Sequence, residues 1–272
     1  MAMAVVLVLL IVGSLLFHFL SPWWFTPIAS NWTAVDSTID LTFIVTGIVF
    51  VLINGFMAYC VVKFRHKKGG RAHYEPENKK LEMGLIIVTS IGVIAMLAPG
   101  LWVWAEFVNV PEDAAEVEVV GQQWRWAYRY PGDDGTFGTT DISHMSIENP
   151  FGVNPEDPNG QDDVLVRDSS LRLLKDKPVK LLLRSLDVLH NFTVPQFRVK
   201  MDLVPGMVTH LWLTPTKTGE YEIMCEELCG LAHYSMRGRV VVEDEPAYSN
   251  WLATQKTYAQ TASESVTNLA RG

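Results

Sequence analysis

Two cysteines, two histidines and a methionine are the residues of this sequence whose types and spacing point most directly to chemistry. Four of the five lie within the segment 225–236, which reads Cys-Glu-Glu-Leu-Cys-Gly-Leu-Ala-His-Tyr-Ser-Met, and His190 lies upstream. Thiolates, imidazoles and thioethers are soft ligands that select copper over magnesium, calcium or manganese. The segment therefore indicates a copper site.

The second cysteine of this segment needs an explanation of its own. A blue-copper centre binds one metal through a single Cys, two His and a weak axial Met. Two thiolates that bridge two copper ions account for both Cys225 and Cys229, and one unpaired electron then spreads over both ions. Such a centre suits a fast one-electron relay, because accepting an electron changes its bond lengths little. A disulfide or a closed zinc site is the alternative, but neither explains Met236, the glutamate between the thiols, or Gly230.

The segment resembles the dinuclear copper (CuA) centre of subunit II of the haem-copper cytochrome c oxidases. That family's pattern is Cys-x-Glu-x-Cys-Gly-x-x-His-x-x-Met, and every fixed position is present. The resemblance implies that Cys225 and Cys229 are bridging thiolates and that His190 and His233 are terminal imidazole ligands. It further implies that Met236 is a weak thioether ligand and that Glu227 binds copper through its backbone carbonyl. It also implies that the Glu227 carboxylate binds Mg or Mn at the interface with subunit I.

Apolar residues are concentrated in three runs within 1–106, at 4–20, 39–62 and 83–104. The last two are long enough to span a bilayer and the first is barely so. Because the first run has no basic leading segment and no obvious cleavage site, we expect a retained helix rather than a secretion signal. All Lys and Arg before residue 125 lie in the loop 63–82. The positive-inside rule therefore places this loop in the cytoplasm and the chain after residue 106 outside.

The exported segment 107–245 is predicted to be an all-β domain. Gly and Pro separate seven short β-rich runs, at 116–120, 124–130, 179–184, 188–194, 208–213, 221–224 and 237–242. Such spacing indicates an antiparallel sandwich or barrel. His190 then lies on a strand and 225–236 on a loop, as in the cupredoxin-like Greek-key barrel that the resemblance implies after the transmembrane α-helices. The segment 131–170 is predicted to be a long exposed loop, and 246–272 a C-terminal helix with a polar tail.

Aromatic residues alternate in the segment 122–130. The alternation places four side chains on one face of a predicted strand: Trp124, Trp126, Tyr128 and Tyr130. Core packing explains such a pattern, whereas exposed indoles offer a donor haem a contact surface and a route for the electron. In the resembled family a Gly-His-Gln-Trp-x-Trp segment has this purpose, and here Gln122 replaces its His. We therefore predict that electrons enter through Trp124 and Trp126.

Charged residues provide further expectations about partners. Residues 107–272 contain 24 Asp and Glu against 15 Lys and Arg. Such a surface steers a basic partner, although solubility alone also explains it, and no basic patch indicates nucleic acid. The resemblance implies that Asp187 lies near the docking surface for cytochrome c. It also implies that Glu82 lies near the mouth of a proton path, where the alternative is an interfacial acid beside Lys79 and Lys80.

These observations and the resemblance together predict subunit II of a proton-pumping haem-copper cytochrome c oxidase in the bacterial inner membrane, with its C-terminal domain in the periplasm. The expected partners are cytochrome c, subunit I, whose haem receives the electrons for reduction of dioxygen to water, and subunit III. One alternative is the electron-accepting subunit of a CuA-type nitric oxide reductase. The other is a copper-free structural subunit of a quinol oxidase, against which the intact ligand set argues.

Overall fold

The computed structural model describes residues 1–21, 26–71, 74–146 and 149–269. Small parts of the predicted loops 63–82 and 131–170 and of the C-terminal tail, at 72–73, 147–148 and 270–272, therefore lie outside the described residues. The chain divides into two compact units, Met1–Thr26 with Thr33–Ala105, and Pro27–Trp32 with Glu106–Gly272. The first is helical and the second is mainly β.

Within its described residues, the first unit contains three apolar helices: α1 Ala2–Leu20, α2 Thr33–Lys63 and α3 Lys79–Val108. Each is long and apolar enough to cross a membrane, as predicted. The 19 residues of α1 rise about 28 Å at 1.5 Å per residue, which just matches a hydrocarbon core of about 30 Å. Small residues allow α1 and α2 to approach closely, since Ala4 and Leu7 pack against Ala58 and Val61.

The second unit contains ten strands among the described residues, followed by two helices. They are β1 Ala115–Gln122, β2 Arg125–Tyr130, β3 Val164–Val166, β4 Ser170–Leu174, β5 Val179–Ser185, β6 His190–Val194, β7 Val199–Leu203, β8 Thr209–Leu213, β9 Gly219–Met224, β10 Arg237–Glu243, α4 Glu245–Thr254 and α5 Tyr258–Leu269. One sheet has the order β3-β2-β1-β5-β8 and the other β4-β10-β9-β6-β7. The predicted all-β cupredoxin-like domain is confirmed.

Strand direction differs from the sequence prediction in one respect. The pairs β1–β5 and β4–β10 are parallel, while the other paired strands are antiparallel. Parallel neighbours cannot be joined by a hairpin and need a crossover connection. The long connections of a Greek key supply these crossovers, which a prediction from local alternation does not reveal.

The predicted aromatic face of 122–130 is correct only for its strand residues. β2 begins at Arg125, so Trp124 lies in the preceding two-residue turn. The side chains of Trp126, Tyr128 and Tyr130 are fully or almost fully buried, and Trp126 packs edge-on against Phe192 of the other sheet at 5.8 Å. The prediction that Trp126 belongs to an exposed aromatic surface is therefore wrong, because its strand position points it into the core.

The segment 131–163, which we call the insertion, is also more ordered than predicted. Phe151 and Val153 are fully buried and pack against Val120 of β1 and Ala127 of β2. Its backbone forms a short ladder, in which Asp141 N donates to Gly152 O at 2.8 Å. The insertion therefore covers the outer face of the first sheet, and the expectation of a simple exposed loop is wrong.

The segment Pro27–Trp32, which precedes α2, belongs to the β unit. Ala29 N donates to Gln196 O at 2.8 Å, and Thr216 N donates to Ala29 O at 2.9 Å. Trp32 is buried, and its Nε1 donates to Trp212 O at 3.0 Å. The segment therefore pairs with the β domain as a short additional strand would.

Candidate metal centre

Strand pairing brings the ends of the segment 225–236, which we call the metal loop, to adjacent positions. Met224, at the end of β9, pairs with Arg237, at the start of β10. Cys225 N donates to Met236 O at 3.3 Å and closes the loop at its base. Because β6 also pairs with β9, the side chain at the start of β6, His190, reaches the same place. The predicted strand and loop positions of the ligands are thus as observed.

The five soft donors converge. Cys225 Sγ lies 3.8 Å from Cys229 Sγ and 3.9 Å from His190 Nδ1. Cys229 Sγ lies 3.5 Å from His233 Nδ1 and 3.9 Å from Met236 Sδ. Both cysteines are free thiols, and their separation far exceeds the roughly 2.05 Å of a disulfide bond. The ligating atoms of His190, Cys225 and Cys229 all lie within 4.8 Å of one another, as a metal site requires.

Glu227 contributes its backbone to the same cluster. Its carbonyl oxygen accepts a hydrogen bond from Cys225 Sγ at 3.3 Å, so this oxygen faces the thiols. The half-buried carboxylate forms no hydrogen bond within the described part of the chain, and it interacts with Lys200 only electrostatically. One carboxylate is too few to hold a hard cation. The arrangement therefore separates a carbonyl that faces the soft donors from a carboxylate that is left for another partner.

The burial of the thiols affects how a metal binds. Cys225 is 8% exposed, Cys229 3% and Met236 1%. Burial, and then the hydrogen bond with Cys225, raises the pKa of Cys229 to about 11. The Cys229 thiol therefore stays protonated at neutral pH until a cation displaces its proton. Three sulfurs and two imidazole nitrogens form a soft donor set that fits copper, while the thioether of Met236 has no place in a closed zinc site.

The turn between β1 and β2 rests directly on the metal loop. Gln123 Nε2 and Trp124 Nε1 both donate to the carbonyl oxygen of Cys229, at 2.7 and 3.3 Å. Gly230 makes this approach possible, since its φ is +120° and a Cβ there would lie 2.9 Å from Gln123 Nε2 and 3.2 Å from Trp124 Cζ2. Trp124 is 36% exposed. Its indole thus joins the protein surface to a predicted metal ligand.

Asp187 connects His190 to the same turn. Its Oδ1 lies 2.7 Å from His190 Nε2, and its Oδ2 accepts from Gln123 N at 2.7 Å. Partial burial opposes ionisation, but the hydrogen bonds from the Gln123 backbone, His190 and the Val188 backbone outweigh it and lower the pKa of Asp187. The carboxylate is therefore ionised at neutral pH and accepts hydrogen bonds from its own domain.

Exposed apolar side chains lie on the metal loop and on the segments beside it. The set, which we call the apolar rim, consists of Trp124, Val188, Leu189, Leu228, Leu231 and Tyr234. Leu231 is 93% exposed, Leu228 82% and Tyr234 80%. A group of exposed apolar residues of this kind marks a surface that another molecule covers.

The other predicted site residues have different surroundings. Trp126 is fully buried against Phe192 and does not reach the protein surface. Glu82 lies in the first turn of α3 and is exposed. The sequence prediction did not include Gln123, although it occupies a fixed position in the Gly-x-Gln-Trp-x-Trp segment. The fixed position of Gln123 in this segment is the sequence signal that could have identified it.

Comparisons with known proteins agree with this site. Residues 115–244 match the family model described as cytochrome C oxidase subunit II, periplasmic domain. The chain is 58% identical to the alternative cytochrome c oxidase subunit 2 of Bradyrhizobium diazoefficiens, over 95% of this chain and 94% of the relative. It is 28% identical to the cytochrome c oxidase subunit 2 of Cereibacter sphaeroides, over 84% and 77% of the two chains.

Among solved structures, the crystal structure of the periplasmic domain of subunit II of cytochrome oxidase from Bradyrhizobium japonicum is similar, with 27% identity and a TM-score of 0.40. The match covers 54% of this chain and 96% of that domain.

Proposed function

The chain belongs to the cytochrome c oxidase subunit II family, and from this premise we propose that its metal loop holds a dinuclear copper centre. The centre accepts electrons one at a time from reduced cytochrome c and passes them to haem in subunit I, where dioxygen is reduced to water and protons are pumped. The chain itself is a membrane protein with an exported β domain that contains a copper-type ligand cluster, and the part of the chain that the structure describes has three helices able to cross a membrane.

One observation carries this proposal: two unbridged thiols lie 3.8 Å apart, and each has its own imidazole nitrogen within 3.9 Å. A single-copper site needs only one of the thiols. The pairing of two cysteines with two histidines supports a site that would hold two metal ions. Met236 Sδ and the carbonyl oxygen of Glu227, which lie beside Cys229 and Cys225, would supply further weak donors.

When bound, the dinuclear centre supplies a one-electron carrier that needs little rearrangement on reduction. The protein contributes a buried, rigid cage for it. His190 is fully buried, and the ligands lie between paired strands and a closed loop base. Such support keeps ligand positions fixed and excludes water, which reduces the reorganisation that electron transfer requires.

Electron uptake in this proposal occurs at the apolar rim. Trp124 contributes an indole face to the surface, and its Nε1 donates to the carbonyl oxygen of Cys229. This hydrogen bond provides a short connection from a docked donor haem to a copper ligand. Leu231 and Tyr234 offer apolar contact area to the donor. The role of Trp126 in electron entry remains a prediction. Because Trp126 is buried, it would be an internal part of the electron route and not a contact surface for the donor.

The carboxylate of Glu227 supports a second metal site in the assembled oxidase. We propose that it binds Mg or Mn together with ligands from subunit I. Its carbonyl faces the thiols, while its carboxylate forms no hydrogen bond among the described residues and has only an electrostatic interaction with Lys200. Oxygen ligands are what these hard cations prefer. The same residue would then join the copper centre to the subunit interface.

The membrane part of the proposal follows the domain boundaries predicted from sequence. Residues 1–106 would lie in the bacterial inner membrane with the loop 63–82 in the cytoplasm, the domain 107–245 in the periplasm, and 246–272 as its C-terminal extension. Glu82 would lie at the cytoplasmic end of α3, near the mouth of a proton path into subunit I. Contacts with subunit III complete the proposed assembly.

The test is metal analysis and electron paramagnetic resonance (EPR) of the intact, detergent-solubilised complex. We expect a mixed-valence copper signal, with one electron shared by two copper ions, that disappears on full reduction by cytochrome c. Stoichiometric zinc, or a signal typical of a single copper ion, would contradict the proposal. Assaying the same complex with nitric oxide and with dioxygen distinguishes an oxidase from a nitric oxide reductase.

A further inference from the structure

The carboxylate of Asp187 is occupied by its own domain rather than directed at solvent. Oδ1 lies 2.7 Å from His190 Nε2 and accepts from Val188 N at 2.7 Å. Oδ2 accepts from Gln123 N at 2.7 Å. The side chain of Asp187 is 26% exposed, while that of His190 is fully buried. A carboxylate that accepts three hydrogen bonds from nearby groups has little capacity left for a docking partner.

We infer that Asp187 is a positioning residue for the copper ligand His190. A neutral imidazole carries its proton on only one nitrogen, and the hydrogen bond made by that nitrogen fixes which one. Asp187 accepts at Nε2, so Nδ1, which faces Cys225 Sγ at 3.9 Å, keeps its lone pair for a metal. Carboxylates that hold metal-binding histidines in this way also fix the ring orientation and raise the basicity of the ligand.

The same carboxylate also fixes the surface turn where electrons are proposed to enter. Through Gln123 N it holds the tip of the β1–β2 turn, and Gln123 Nε2 then donates to Cys229 O at 2.7 Å. Asp187 thereby joins one imidazole ligand, one thiolate ligand and the turn that presents Trp124. This inference rests on the copper centre of the proposed function and gives Asp187 a task other than the predicted docking.

The experiment compares Asp187→Asn with Asp113→Asn in the complete oxidase. Asp113 is an exposed acid of the same domain, so both variants lose one negative charge. Asparagine offers one acceptor oxygen and one amide donor, and therefore cannot accept from both His190 and Gln123 N. We expect the mixed-valence copper signal of Asp187→Asn to change and its copper to be lost to a chelator 10–100-fold faster. Asp113→Asn should match the unmodified complex.

A docking role gives a different result. It predicts an unchanged copper signal and chelator resistance for Asp187→Asn, with a raised KM for cytochrome c that depends on ionic strength. That result would overturn the inference. Asp187→Glu adds a second discrimination, because it keeps the charge but moves both oxygens by one methylene. Positioning predicts that Glu fails to restore the copper signal, whereas docking predicts that it restores the KM.

The outcomes separate this inference from the function on which it rests. An unmodified complex without a mixed-valence signal contradicts the proposed function, irrespective of Asp187. An unmodified complex with the signal, together with an Asp187→Asn complex that is indistinguishable in signal and copper retention, contradicts the inference alone. If the Asn variant does not accumulate, the signal and copper retention of Asp187→Glu decide the question by the same criteria.

Discussion

The metal loop and the insertion are both long connections of the β domain, but they are held in place differently. The metal loop places Cys225, Cys229, His233 and Met236 at short sequence spacing, and they converge over a few ångströms. The insertion, 131–163, contains no such set of ligands and is held by ion pairs and apolar contacts with distant strands. A functional loop can thus be recognised from spacing alone, whereas a structural loop depends on contacts that its own sequence does not reveal.

A buried ion-pair network anchors the insertion to the first sheet. Arg129 of β2 binds Glu118 of β1 at 2.6 Å and Asp163, at the end of the insertion, at 3.1 Å. These three side chains are at most 5% exposed. Arg129 also donates to Gly138 O at 3.0 Å, and Gly138 N donates to Asp163 Oδ2 at 3.1 Å. The guanidinium of Arg129 therefore ties Gly138 and Asp163 of the insertion to the first sheet.

The largest expected effect comes from Cys229→Ser in the metal loop. A hydroxyl is a poor replacement for a thiolate as a copper ligand, and Cys229 lies beside Cys225, His233 and Met236. We expect complete loss of the mixed-valence EPR signal and of cytochrome c oxidation, while protease resistance of the insertion is unchanged. Cys60→Ser in α2 is the matched control and should retain both the signal and the activity. A normal signal in Cys229→Ser would show that the metal loop does not hold the copper.

The converse change is Arg129→Ala, which should destabilise the insertion. The substitution leaves the buried Asp163 without its cationic partner, while Glu118 keeps its ion pair with Arg184. Breaking a buried ion pair in this way costs about 3–5 kcal/mol. We expect rapid limited proteolysis within 131–163 and a lower melting temperature. The control is Arg239→Ala, because the Arg239–Glu220 pair is 62% exposed on both sides and a surface pair contributes about 0–1 kcal/mol. Equal effects of the two substitutions would contradict the anchoring role.

The same contrast explains how much of the molecule was predictable. The cluster of soft donors, its loop, the strand of His190 and the apolar helices follow from ligand type, spacing and apolar run length. Trp126 was assigned to the surface because alternation alone does not show which face of a strand is buried. The burial of Phe151 and the ion pair of Arg129 with Asp163 were not predicted, because both depend on residues distant in the sequence. The hydrogen bonds of Asp187 likewise require knowledge of the turn beside it.

A third prediction concerns Trp124, which links the surface turn to the metal loop. Trp124→Phe keeps an aromatic ring at the apolar rim but removes the Nε1 hydrogen bond to Cys229 O. Trp124→Ala removes both. Misplacing the reacting groups by about 1 Å lowers a rate on the order of 10²-fold. We therefore expect Trp124→Ala to slow electron uptake from cytochrome c by about that factor, and Trp124→Phe to slow it less. Stopped-flow reduction of the copper centre measures both rates.

The copper EPR signal of each Trp124 variant is the control, and we expect it to be unchanged. Equal rates in Trp124→Ala and the unmodified complex would exclude Trp124 from the route. Equal rates in Phe and Ala would assign the whole effect to the hydrogen bond rather than to the ring surface.

The smallest expected effect is a pH dependence of the insertion that the metal loop does not share. Burial outweighs the attraction of Arg129 and raises the pKa of Asp163 from 3.8 to about 7. The folded protein therefore binds this proton more tightly than the unfolded chain does. The contribution of Asp163 protonation to the free energy of unfolding is complete below about pH 4 and is lost as the pH rises through 7. Between these limits the free energy of unfolding falls by at most about 1.4 kcal/mol per pH unit.

Protease resistance of the insertion should therefore fall between pH 5 and pH 8, whereas the copper signal should remain constant. Asp163→Asn is neutral at every pH, so it should flatten this dependence. Its amide replaces a carboxylate that accepts from both Arg129 and Gly138 N, so a lower overall stability is expected as well. If the pH profile of the Asn variant matches that of the unmodified protein, another group titrates, and the ion-pair network is fully charged across this range.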